Sequence, residues 1–238
     1  MKSKVNFYSN ILVFFTLLLV ALSSYAATPI GGKSNGLENK IIDSQFRNQA
    51  FVEPANTYVG LIRAHGIHAV STSFSLNDIV YIEDDAGRAR LYKATTAGTT
   101  AGTKPSYPGS IGEVITDGSA QFTEIYEGIE SGAELLEPVG GAYSRVAVAS
   151  SLASWAGTQG AGTTTASTGT GATTSNNASV PFTNPTGDWG WMVGFIVDEA
   201  STGFDKFVWA TFATPVQILN GTQNISFAAG ALTYQEDK

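Results

Sequence analysis

The stretch WGWMVGFIV, residues 189–197, is the most hydrophobic piece of the chain beyond its first 27 residues. It carries no charge, mixes β-branched and aromatic side chains and is too short for an ordinary helix, so it reads as a central β-strand. Trp189 and Trp191 stand two residues apart, and period-two alternation puts both rings on one face, where filling a core is the first expectation. Strand-like runs continue on both sides of it. They lie at 206–212, 216–219, 224–227 and 231–234 toward the C-terminus, and at 180–182, 143–149 and 57–63 toward the N-terminus. Pro181 marks the run at 180–182 as an edge or a strand end. In TYVGLIR, residues 57–63, Val59 and Leu61 alternate with Gly60 and Ile62, which predicts burial on both faces. In YSRVAVA, residues 143–149, Tyr143, Arg145, Ala147 and Ala149 share one face and Val146 and Val148 the other. Many short strands joined by glycine-rich turns are the pattern of a sandwich or barrel.

Bulk composition agrees. The chain has 238 residues, 43% hydrophobic and 14% charged, with 26 glycines. That suits one folded domain, or one domain with an insertion, and argues against wholesale disorder. The formal net charge of −7 repels phosphate backbones, so nucleic acid is excluded as the expected partner. With no cysteine there is neither a disulfide framework nor a thiolate nucleophile or metal ligand.

Residues 1–27 are read separately. Lys2 and Lys4 precede an apolar run at 11–22, followed by Ser23-Ser24-Tyr25-Ala26-Ala27. This is the pattern of a signal peptide, cleaved best after Ala26, or of an N-terminal hydrophobic segment that stays attached. Residues 28–36 form a linker. A helix follows at 37–47, with Asn35 as cap and Glu38 as its reciprocal partner. Leu37 and Ile41, then Ile42 and Phe46, repeat at four-residue spacing and predict one apolar face, docked on its own domain or on a partner.

Residues 67–127 read as a small inserted β-module. Strand candidates at 79–83, 90–94 and 120–125 are separated by turn clusters at 84–87, 97–102 and Asp117-Gly118. Ile79, Val80, Ile82, Leu91, Tyr92, Phe122 and Ile125 give it apolar residues for a core of its own. The tract at 155–177 is almost all Gly, Ala, Ser, Thr and Asn, which predicts a surface loop mixed with thin strands.

Little of this chemistry points to an enzyme. His65 and His68 have no neighbouring carboxylate in sequence, so they read as loop histidines and not as a metal site. The glycines at 157–162 lack the lysine of a phosphate-binding loop. Glu83, Asp84 and Asp85 read as a solvated hairpin tip. No catalytic residue, metal or cofactor is expected. The candidate ligand-binding residues are Tyr92, Tyr107 and Phe122, whose rings, if exposed, would stack on sugars; core packing is the plainer alternative.

Several strings resemble a family of bacteriophage tail-fibre-like virion structural proteins. LENKIIDSQFRNQAF and TYVGL resemble the opening of that family, a helix followed by a strand. They are followed in family order by GAYSRVAVASS (141–151), the small-residue tract, WGWMVGFIVDEASTG (189–203) and FAAGALT (227–233). The segment 78–125 resembles a second phage-type module, similar to small carbohydrate-binding domains. The resemblance implies a non-enzymatic tail-fibre or decoration protein located in the virion. Its implied partners are other virion proteins and a host-surface glycan, and its implied assembly is a homo-oligomer, a trimer by preference. The alternative is an exported bacterial adhesin or carbohydrate-binding surface protein, which the N-terminal segment suggests. The expected fold is mainly β: an antiparallel, jelly-roll-like β-sandwich from 37–66 and 128–238, with one N-terminal helix and the module at 67–127 inserted.

Overall fold

The computed structural model describes residues 27–221 and 224–235, and the apolar run read as a signal peptide lies outside them. The strands in chain order are β1 (Gly31–Lys33), β2 (Asn56–Ala64), β3 (Gly66–Ile67), β4 (Ser73–Phe74), β5 (Ile79–Glu83), β6 (Ala89–Thr96), β7 (Gly98–Thr99) and β8 (Val114–Asp117). They continue with β9 (Ala120–Glu124), β10 (Val146–Ala149), β11 (Thr173–Ser175), β12 (Val180–Phe182), β13 (Gly190–Asp198), β14 (Phe207–Ile218), β15 (Ile225–Phe227) and β16 (Thr233–Gln235). Two helices accompany them, α1 (Asn35–Phe46) and α2 (Tyr126–Glu130).

The main sheet has the order β1-β14-β13-β2-β10 and is antiparallel throughout. A second five-stranded sheet has the order β3-β5-β6-β9-β8, antiparallel except for the short parallel pair β3–β5. Three ribbons, β11–β16, β12–β15 and β4–β7, complete the set.

Alternation along these strands builds three apolar layers. On one face of the main sheet, Ile62, Val193, Ile196, Phe207 and Trp209 share a core with Ile79, Tyr81, Ala89 and Leu91 of the second sheet. On its other face, Val59, Leu61 and Met192 pack with Val180 and Phe182 of β12 and with Leu232. The far side of the second sheet, with Val80, Ile82, Tyr92 and Phe122, forms the third layer, closed by Tyr107 from the connection between β7 and β8. The second sheet therefore has one core of its own and shares another with the main sheet.

Most predicted strands are found with bounds moved by a residue or two. The runs at 206–212 and 216–219 are one strand, β14, which carries Pro215 within it. The run at 143–149 shortens to β10, four residues long. Asp117-Gly118 turns β8 into β9, with Asp117 paired to Ala120 and Gly118 at φ 66°.

Two expectations about faces are corrected. Trp189 and Trp191 do not share a face: Trp189 is buried beneath β12, and Trp191 packs on the opposite layer. Gly190 between them sits at φ 84°, a backbone turn that breaks the period of two. Helix α1 likewise does not dock by one apolar stripe. At about 100° per residue Phe46 lies opposite Leu37, and Ile42 and Phe46 are 52% and 79% exposed. Leu37 and Ile41 are half-buried, and polar contacts on the Lys40 side add to the hold on the helix. Its cap is Ser34, not Asn35: the Ser34 hydroxyl oxygen accepts from the Leu37 and Phe207 amides and donates to the Asp205 carbonyl. Lys40 pairs with Glu199 and lies over the Phe51 ring.

Candidate functional site

Tyr92, Tyr107 and Phe122 are brought together, though they come from β6, from the β7–β8 connection and from β9. Tyr92 and Tyr107 meet edge to face at 5.2 Å, and Tyr107 and Phe122 lie 6.5 Å apart. All three are at most 1% exposed, so no ring offers an open face for stacking. The Tyr107 hydroxyl donates to Asp117 Oδ2 at 2.9 Å. Burial and that carboxylate push its ionisation well above the ordinary tyrosine range. His68 Nε2 meets the same Asp117 oxygen at 2.7 Å, and the Ala101 amide donates to Asp117 Oδ1. These contacts fasten the 100–111 connection over the second sheet. Asp117 lies 49 residues from His68, which is why local sequence offered the histidine no carboxylate. Among the described residues no three His, Asp or Glu side chains are grouped to hold a metal ion.

The acidic hairpin is only partly solvated. Asp84 is buried, and Oδ2 accepts from both Arg88 Nε and Arg90 Nε at 2.8 Å. Burial alone would raise its ionisation. The amides of Arg88 and Ala86 and the two guanidiniums outweigh burial and hold Asp84 below the usual carboxylate range. Asp85 remains exposed and is lowered by hydrogen bonds from the Ser106 hydroxyl and the Tyr107 amide.

The strings that resemble the fibre family converge in space. Tyr143 Oη donates to Glu137 at 2.6 Å and accepts from the Leu61 amide at 2.8 Å. Its ring meets Trp189 edge to face at 5.4 Å, and Trp189 Nε1 donates to the Gly141 carbonyl. Arg145 is buried and grips Glu137 with Nε and Nη2, reaches Asp198 at 3.1 Å and donates to the carbonyls of Ala200 and Gly203. Burial raises Asp198 above the ordinary carboxylate range against the pull of its amide bonds and Arg145. At the other end, buried Asn176 donates to the Ala228 carbonyl and accepts from the Leu232 amide, tying the small-residue tract to FAAGALT. Each of these groups is occupied by its neighbours: the cluster braces the fold.

Open space lies elsewhere. A cavity of about 540 Å³ sits against the main sheet where β2 begins and β13 ends. Val197 and Val208 line it together with Leu152, Trp155 and Tyr234. A second cavity of about 600 Å³ runs along β1 and β14 below Phe195, Phe212 and Phe227, and Tyr234 belongs to both walls. The lining residues run from Thr57 to Tyr234, a set that no local motif in the sequence could have gathered.

Comparison with known families identifies residues 127–235, beginning just after β9, as a match to the family described as Podophage GP4 fiber I protein gp80. No curated protein matches the chain. The matched segment holds β10 to β16 and the Tyr143–Arg145–Asp198 cluster, and over these residues the chain is similar to a phage tail-fibre family.

Proposed function

We propose that this chain is a non-enzymatic structural protein of the phage particle, of tail-fibre or decoration type, which contributes to attachment at the host surface. The family match over residues 127–235 carries the reading. The geometry supports it, since the charged groups of the matched segment that are buried, Arg145 and Asp198, serve to brace strands. Residues 37–66 and 128–238 make up the fibre-type domain in this proposal, and 67–127 is an insertion into it. Buried Tyr92, Tyr107 and Phe122 contribute to the insertion's own core, so a host glycan would be met by another surface. Other virion proteins are the partners, and the chain works as a homo-oligomer, with a trimer preferred. The apolar run at 11–22 favours a second reading, an exported adhesin or carbohydrate-binding surface protein.

Mass spectrometry of purified particles, alongside fractionation of the producing cells, separates the two. Stoichiometric presence in particles with residues 1–26 retained supports the virion reading. Recovery only outside the cell, beginning at Ala27, overturns it in favour of export.

A further inference from the structure

We propose that the cavity over Val197 and Val208 binds a neutral saccharide, with a sugar face laid against Trp155 and Tyr234. The inference rests on the attachment reading and gives it a site and a ligand class. A sugar ring presents an apolar C–H face and a rim of hydroxyls, and the cavity has the matching layout. Leu152, Ala156, Val197 and Val208 give it apolar lining, and the half-buried Trp155 and Tyr234 line it as well. Around them stand the hydroxyls of Thr57, Ser150, Ser151, Ser167 and Thr174. Those hydroxyls keep capacity to spare. The Thr174 hydroxyl donates to the Ala156 carbonyl and that of Thr57 to the Val148 carbonyl, which leaves both oxygens free to accept. Ser167 Oγ accepts from the Thr158 amide, which leaves its own proton to donate.

The volume of about 540 Å³ lies within the range of small-molecule sites. Charge decides the class. Among the described residues the wall holds no Asp, Glu, Lys, Arg or His. A phosphorylated or carboxylated glycan would find no counter-charge among these described residues, on a chain whose net charge is already −7. A neutral ligand needs none.

The test uses the full chain, with neutral gluco- and galacto-oligosaccharides and an acidic galacturonate oligomer as probes, in calorimetry and tryptophan fluorescence. At least one neutral probe is expected to bind, with affinity changed by less than about two-fold between low and high salt, since exposed charge pairs alone are strongly screened. Trp155→Ala is expected to weaken it about ten-fold or more, the scale of losing one stacked aromatic. Leu152→Glu does the same from a side chain 53% exposed, where folding is not at stake. The proposal is overturned if no neutral probe binds, if only the acidic probe binds and salt abolishes it, or if both variants bind as the wild type does. It also falls if the variants change the sedimentation of the chain and not its sugar binding, because the cavity then seats a second copy. Adsorption to host cells is measured in parallel. Equal adsorption by the wild type and by variants that have lost sugar binding leaves attachment standing and removes this site from it. Sugar binding without any adsorption removes the attachment reading and keeps the site.

Discussion

Arg145 neutralises two carboxylates that form no other ion pair among the described residues. Glu137 and Asp198 both face it, and its remaining protons go to the carbonyls of Ala200 and Gly203. Removing the guanidinium leaves buried charge uncompensated, which is far costlier than the pair is stabilising. Arg145→Ala is therefore expected to lower unfolding stability by about 3–5 kcal/mol, read from urea titration. Arg145→Lys should recover only part of this, because an ammonium cannot fork to Glu137 and still reach Asp198. Asp84 allows a test with a defined pH sign. Its ionisation is held below the ordinary value in the fold. A depressed carboxylate contributes stability that is present above the unfolded pKa, about 3.9, and is lost as pH falls through the folded value. Asp84→Asn should thus be less stable than the wild type by about 3 kcal/mol at neutral pH. The gap should narrow as pH falls below about 4. Denaturant midpoints of both proteins across that window check it, and a gap that stays constant sinks the argument.

At the scale of elements, Ser34 does the work of two residues. Its hydroxyl caps α1 and also joins the β14 backbone through the Phe207 amide and the Asp205 carbonyl. Ser34→Ala is expected to lower stability by about 2 kcal/mol, the upper end for a helix cap, and to speed amide exchange across residues 35–46. Phe46→Ala, on the exposed side, should change stability by no more than about 0.5 kcal/mol. A reversed ranking by thermal melts would mean that α1 is held by its apolar residues after all. These two residues mark what could be read in advance. The helix and the strands at 79–83, 120–124 and 190–198 were legible because alternation and turn residues act locally. How α1 docks was not, because Ser34 meets Phe207 across 173 residues. The split of Trp189 from Trp191 turned on one backbone angle at Gly190. The cavity was invisible for a third reason: Thr57, Trp155, Val197 and Tyr234 become neighbours only when four separate segments meet.

At the scale of the whole molecule, the shared core decides whether the second sheet is an appendage or a structural partner. Ile79, Tyr81 and Leu91 cover Ile62, Val193, Ile196 and Trp209. Each large side chain kept from water there is worth about 1.5–3 kcal/mol, and a whole domain is stable by only about 5–15 kcal/mol. The two sheets are therefore expected to unfold together. The tryptophans permit a direct test, since Trp155, Trp189, Trp191 and Trp209 all lie outside residues 67–127. Phe122 faces the other side of the second sheet, away from every one of them, in the core with Tyr92 and Tyr107. Phe122→Ala should cost about 3–5 kcal/mol through the cavity it leaves. If the sheets are one cooperative unit, tryptophan fluorescence will report a midpoint lowered by about 10 °C, coincident with circular dichroism. If the second sheet melts on its own, circular dichroism will show an early partial transition while the tryptophan midpoint stays where it was. In that case excision of 67–127 would leave the main sheet standing. In the cooperative case excision exposes Ile62, Val193, Ile196 and Trp209 at once, and the shortened chain should lose its cooperative melt.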